Sequence, residues 1–262
     1  HSLWATPRTF IAVAEAAKRA GFELRFYEDV PAMHRRWSLE VAIPVSLYGM
    51  PHNEVWPEGT QVIEDLAQAH GHPLRGLAAT FSYYPTKNLG AVGQGGSVVS
   101  NDKDFIDAVK ILRGHGEAGG RFQHQYLSGN YRMDELQAAI LRAKLPHLDA
   151  WNARRKQIAG LYLDLLADCN GVQLPAWNEE HVWHIFNIRT LGRVSLSRFL
   201  DARGIQTAVR YPIPLHLQPA LAFLGYKQGD FPEAEAWANE SLSLPIHESM
   251  TDTQVEYTAA SV

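Results

Sequence analysis

The sequence predicts an α/β protein, with a mostly parallel sheet between helices and a smaller C-terminal α+β lobe. Two observations carry this prediction. Short, nearly continuous apolar runs, the pattern of buried parallel strands, alternate with helix-patterned segments. After Asn170-Gly171 the pattern changes to short mixed segments.

The elements follow in order. Phe10 to Arg19 is alanine-rich, carries Lys18 and Arg19 in its last turn and precedes Gly21, so it reads as a helix with a glycine stop. Glu23 to Val30 alternates like a strand, and Val41 to Leu47 is a short apolar run before Tyr48-Gly49. Gln61 to Glu64 is another strand, with Asp65 at its carboxyl end, where ligand sites of such sheets lie. Thr80 to Tyr84 is a further strand, joined by a glycine-rich turn, Gly90 to Gly96, to the strand Ser97 to Ser100. Asp104 to Arg113, Asp134 to Leu148 and Trp151 to Leu166 read as helices. Behind them come a strand at Trp183 to Arg189, a helix at Ser195 to Arg203 and the proline-rich run Tyr211 to Pro219. These divisions suggest a large domain over residues 1–155 and a small one over 156–262.

Composition limits the function classes. The net charge of −4, with no basic block, argues against a nucleic-acid partner. A 46 % hydrophobic content is enough for a core, and the single cysteine, Cys169, excludes an intrachain disulfide. No apolar run reaches the ~20 residues of a spanning helix, and Glu15 interrupts the most apolar part of the N-terminal stretch. The expected setting is the cytoplasm, with no membrane partner. The 12 histidines show no ligand spacing, so no metal is expected, and no G-x-S-x-G elbow supports a serine hydrolase.

Two residues stand where chemistry is performed. Lys87 lies between a serine-bearing strand end and a glycine-rich turn, where partial burial would lower its pKa and make it a nucleophile. The alternative is a solvated loop lysine. Asp65 either faces a ligand from its strand end or caps a following helix. The run GAVGQGG lacks the Lys-Ser/Thr of a P-loop and is followed by a strand, so it reads as a hairpin turn.

Four ordered segments resemble one family. VIEDLAQAHG (62–71), FSYYPTKNLGAVGQGG (81–96), SGNYRMDELQAAILRAKLPHLDAWNARR (128–155) and VRYPIPLHLQPALAFLGYKQGDFP (209–232) are similar to the DegT/DnrJ/EryC1/StrS sugar aminotransferases. These are pyridoxal 5′-phosphate enzymes of the aspartate aminotransferase fold, fold type I.

The resemblance implies a role for each matching residue. Lys87 would bind the cofactor covalently and later shuttle a proton. Asp65 would pair with the pyridine nitrogen and keep it protonated. Gln68 would pack beside the ring near its 3′-oxygen, and Ser82 would donate to the cofactor phosphate. Asn130 would reach the phosphate of a neighbouring subunit, which implies a homodimer with shared sites. Phe10 would lie over the ring, against the alternative of an ordinary core phenylalanine. Tyr84, Arg210, Tyr211 and His216 fall in segments that line the substrate cleft. Arg210 stands where relatives often have histidine, and would meet a nucleotide diphosphate or serve as a structural ion-pair partner.

The same resemblance implies transfer of an amino group from L-glutamate to a keto group, at C3 or C2, of a nucleotide-linked sugar. A sugar dehydratase of this fold would carry histidine in place of Lys87. A non-catalytic sensor would have no chemical need for Lys87 together with Asp65. Three departures stand out: Leu66 replaces a small residue, and the step from HGHPLRG to LAATFS is short. The 262 residues also hold no counterpart of the arm and Gly-Thr helix start that precede Phe10 in relatives, so the N-terminal part of the cofactor domain is expected to be missing.

Overall fold

The computed structural model describes residues 1–28 and 40–262. Its main sheet has six strands: β1 (Ser2–Ala5), β2 (Glu23–Phe26), β3 (Val41–Ile43), β4 (Gln61–Asp65), β5 (Ala78–Ser82) and β6 (Gly96–Ser100). Their order is β2-β1-β3-β4-β5-β6. All neighbours are parallel except β5 and β6, which form an antiparallel ladder from Ala78 opposite Ser100 to Ser82 opposite Gly96. The expected hairpin is therefore present, and the long connection over 83–95 that closes it carries Lys87.

The helices are α1 (Ala12–Arg19), α2 (Lys103–Arg113), α3 (Glu135–Lys144), α4 (Leu148–Leu165), α5 (Arg193–Asp201), α6 (Pro232–Glu240) and α7 (Asp252–Ser261). Local chemistry sets several ends. Asp102 caps α2 by accepting from the Phe105 amide at 3.0 Å, and Thr251 and Gln254 close α7 with a reciprocal capping box. Gly21, at φ +80°, takes the left-handed turn after α1.

Four expectations change. The strand foreseen over 23–30 ends at Phe26, and its positions 29 and 30 lie outside the described residues. The helix foreseen from Asp134 to Leu148 is interrupted at Leu145–His147 by a tighter turn containing Pro146, which has no amide hydrogen to give. The strand foreseen from Trp183 begins only at Phe186, because Trp183 sits at φ +46°. The connections from β3 to β4 and from β4 to β5 contain no α-helix: Pro51, Pro57 and Gly59 break up the first, Gly71, Pro73 and Gly76 the second.

A small antiparallel pair, β7 (Phe186–Arg189) and β8 (Ser241–Leu244), packs with α4, α5 and α7 around Ile158, Tyr162, Trp183, Phe186, Leu200 and Leu242. A second core joins the first strands and helix to residues 215–234. Leu3, Ala5, Val13 and Ala17 from β1 and α1 pack against Leu215, Leu221, Phe231 and Ala234. The Leu215 amide donates to the Pro7 carbonyl at 2.8 Å, which brings the proline-rich run back onto the sheet beside Phe10.

Candidate active site

Asp65 and Lys87 both lie at the carboxyl end of the sheet, one ending β4 and the other in the loop that continues β5. Asp65 is the last residue of β4, is partly buried, and its Oδ1 accepts from the Ala67 amide at 2.9 Å. It precedes no helix, so the helix-cap reading falls away. Burial raises its pKa above the ordinary value, opposed by the Ala67 amide and the positive charge of Lys87. Lys87 shows the mirror image: burial lowers its pKa, the Asp65 charge raises it and Arg210 lowers it. The amine is therefore partly desolvated, with a carboxylate in its field, and is not a solvated loop lysine.

The Lys87 loop is tightly folded. The Lys87 amide donates to the Tyr84 carbonyl at 2.9 Å and the Ala91 amide to the Tyr83 carbonyl at 2.8 Å. A Cβ on Gly90 would stand 2.4 Å from the Pro85 carbonyl oxygen, so only glycine fits there. At the strand end, the Ser82 hydroxyl accepts a long 3.4 Å contact from the Tyr84 amide, and its own hydrogen remains available. Tyr84 is exposed.

Gln68 is buried and doubly engaged. Its Oε1 accepts from the Tyr48 amide at 2.6 Å, and its Nε2 donates to the Tyr211 hydroxyl at 3.1 Å. Tyr211 also packs against Phe10, with ring centroids 5.7 Å apart. Phe10 is 55 % exposed, so it is not an ordinary core phenylalanine, and its face is open to a ligand. Tyr48 donates its hydroxyl to the Arg210 carbonyl and accepts from Trp237 Nε1 at 3.1 Å, and burial pushes its pKa up to about 12. Arg210 is part-buried and, among the described residues, has no carboxylate partner. The structural ion-pair reading of Arg210 is therefore replaced by that of a cation free to meet an anionic ligand.

Two expected site residues stand apart. His216 is 1 % exposed: its Nε2 pairs with Glu235 at 3.0 Å and its ring packs edge-on to Phe231, so it braces the second core and does not line a cleft. Asn130 lies on the surface of the chain, and its Oδ1 accepts from the Arg132 amide at 3.3 Å. A cavity of about 870 Å³ opens beyond Tyr48, lined in part by Arg8, His52, Glu54 and Trp237, and contains neither Lys87 nor Asp65. Among the described residues no group of three or more His, Cys, Asp or Glu is placed to hold a metal. No helix among them is long and apolar enough to cross a membrane.

Sequence reasoning did not single out Tyr48, whose amide donates to Gln68 and whose hydroxyl donates to the Arg210 carbonyl; it stands in none of the four segments that resemble the family.

Known proteins resemble this chain along most of its length. Residues 43–262 match the model of the DegT/DnrJ/EryC1/StrS aminotransferase family. The chain is 40 % identical over 279 residues to the pleiotropic regulatory protein of Geobacillus stearothermophilus, covering 96 % of this chain and 75 % of that one. It is 43 % identical over 219 residues to the dTDP-3-amino-3,4,6-trideoxy-alpha-D-glucose transaminase of Streptomyces venezuelae, covering 78 % of this chain but only 58 % of that one. The crystal structure of DesV from S. venezuelae superposes with a TM-score of 0.92 at 34 % identity, covering 99 % of this chain and 76 % of that one. The mostly parallel sheet between helices is thus that of fold type I, and the chain belongs to the DegT/DnrJ/EryC1/StrS aminotransferase family.

Proposed function

We propose that this chain is the greater part of a pyridoxal phosphate-dependent aminotransferase that passes an amino group from L-glutamate to a keto group of a nucleotide-linked sugar. The observation that carries the reading is the placement of a partly buried Lys87, in the loop that continues β5, and of the Asp65 carboxylate, at the end of β4, at the same edge of the sheet, each within the other's electrostatic field. The residues present fit the cofactor: an amine to bind it, a carboxylate for its ring nitrogen, an uncommitted Ser82 hydroxyl for its phosphate and the open face of Phe10 for its ring. When bound, pyridoxal phosphate supplies an electron sink for the carbon that loses its proton.

Lys87 holds the cofactor and, once its amine is freed, carries the proton between donor and acceptor atoms as a general base and acid. Its lowered pKa keeps a larger fraction of the amine uncharged, as both tasks require. Asp65 supplies the negative charge that keeps the ring nitrogen protonated. Gln68 and Tyr211 form a linked wall beside it. Arg210 offers a guanidinium to the anionic part of the substrate, and Tyr84 is exposed to contact the sugar.

The name of the Streptomyces relative, a 3-amino sugar transaminase, favours C3 over C2 as the aminated position. Surface-exposed Asn130 fits a role on the cofactor phosphate of a second subunit, which supports a homodimer with shared sites as the working form. The domain reading pairs a cofactor lobe over 1–155 with a small lobe over 156–262, and α4 passes through the division and belongs to both.

The test is spectroscopic. Protein loaded with pyridoxal phosphate should be yellow, and L-glutamate should shift its visible band. A panel of nucleotide-linked ketosugars should then restore the band, with the preferred sugar acting fastest. A Lys87→Ala protein that transaminates at the wild-type rate would overturn the assignment.

A further inference from the structure

A buried hydrogen-bonded network lies behind Lys87, and two backbone carbonyls determine the orientation of every group in it. Asn152 Nδ2 donates to the His70 carbonyl at 2.8 Å, so Asn152 Oδ1 must face Asn88. Asn88 Nδ2 donates to that Oδ1 at 2.8 Å and to the Val182 carbonyl at 3.0 Å. Both amide hydrogens of Asn88 are thereby spent. Its Oδ1 lies 3.0 Å from His184 Nδ1 and can only accept, so His184 must carry its proton on Nδ1.

The network joins the segments on which the site depends. His70 follows Gln68 by two residues in the segment that leaves β4 after Asp65, Asn88 directly follows Lys87, Asn152 comes from α4, and Val182 and His184 come from the segment entering β7. That last segment is itself tied to Tyr48 and Gly49, through Val182 N to the Gly49 carbonyl at 3.0 Å and Ile185 N to the Tyr48 carbonyl at 3.2 Å. Asn88 and His184 are 4 % and 6 % exposed, so water does not offer a ready substitute for a lost partner.

We propose that His184, held as its Nδ1-protonated tautomer and acting through Asn88 and Asn152, is the positioning residue that sets the Lys87 loop against the Asp65 strand end. Its part is positional: the imidazole donates one hydrogen bond to Asn88, the residue beside Lys87. Among the described residues His184 Nε2, the bare nitrogen of that form, is buried and meets no acceptor that would hold a proton on it. Burial, and then the charges of Lys87, Arg155 and Arg210, also disfavour a second proton on the ring. The proposal rests on the reading of Lys87 as the reactive amine. Its tests use the protein without cofactor, so a failure of that reading would show separately, in the visible spectrum.

The first measurement is the ¹⁵N spectrum of the histidine rings in the wild-type protein near neutral pH. His184 should show a protonated Nδ1 and a bare Nε2, and the opposite tautomer would overturn the proposal. The second is amide hydrogen exchange over Lys87 to Ala91. His184→Leu should raise exchange there by about tenfold or more, whereas His184→Asn, whose amide nitrogen can take the place of Nδ1, should stay within about threefold of wild type. Unchanged exchange in the leucine variant, or an asparagine variant that loosens the loop as much as leucine does, would also overturn it. Should the leucine variant not fold, the ring spectrum and the asparagine variant decide alone.

Discussion

Asp65 and Lys87 each oppose, in the other, the effect of burial. Burial favours a neutral Asp65 and an uncharged Lys87, while the charge of each favours the ionised form of its partner. The arrangement follows from strand pairing: Asp65 stands opposite Thr80 in the parallel β4–β5 register, and the loop that continues β5 returns Lys87 to the same sheet end.

Lys87→Ala should lower the rate of transamination by about 10²–10⁴-fold, the range for a removed general acid–base group. Lys87 is only partly buried, so the melting temperature should change little. Steady-state rates and a thermal melt check both halves.

Asp65→Asn should keep the hydrogen bond from the Ala67 amide, since the amide oxygen still accepts, while losing the charge that supports Lys87. The expected loss in rate is about 10²–10³-fold, comparable to removal of one preorganised electrostatic group. A variant with wild-type rate would show that the charge is not used.

Outside the site, His52 sits between two carboxylates, with Nε2 2.8 Å from Glu64 and Nδ1 3.4 Å from Glu54. Burial alone would lower its pKa, but the bonds to Glu54 and Glu64 together outweigh burial and raise it to about 9. A raised folded-state pKa means stability that is full below the ordinary histidine value and is lost as pH rises through about 9. Melting temperature against pH should therefore fall across the alkaline limb in the wild type, and His52→Gln should flatten that limb. Glu64 is held below its ordinary pKa: burial would raise it, but His52 and the Gly76 and Arg75 amides outweigh that, so its contribution is lost instead as pH falls through its folded value.

Gly49→Ala should destabilise the protein by about 2–4 kcal/mol. Gly49 sits at φ +94°, and a Cβ there would stand 2.8 Å from Val182 Cγ2 and 3.1 Å from both the Gln68 carbonyl oxygen and the His184 amide nitrogen. Urea unfolding gives the value, and a loss below about 0.5 kcal/mol would mean that the turn repacks freely.

The sequence by itself determined the strands and helices whose apolar spacing is strong, and it singled out Asp65 and Lys87 as the candidates for chemistry. Asp65 and Lys87 were legible because the first ends a strand and the second lies in the loop that continues the next one, both within segments that match a family, and the carboxyl edge of an α/β sheet is a predictable place for a ligand. Phe10 and Arg210 were only half legible: exposure of the first and the missing carboxylate partner of the second were needed to choose between two readings.

Only the tertiary structure decided the rest. His216 looked like a cleft residue because its neighbours Arg210 and Tyr211 are at the site, but the tight turn through Leu215–Leu217 buries it against Glu235 and Phe231. Asn88, Asn152 and His184 are distant in sequence and ordinary in type, and they become a unit only where α4 and the segment entering β7 pack behind the Lys87 loop. Periodicity records which face of an element is buried, whereas a hydrogen-bond network among buried polar groups depends on which elements meet, and that is settled only when the chain has folded.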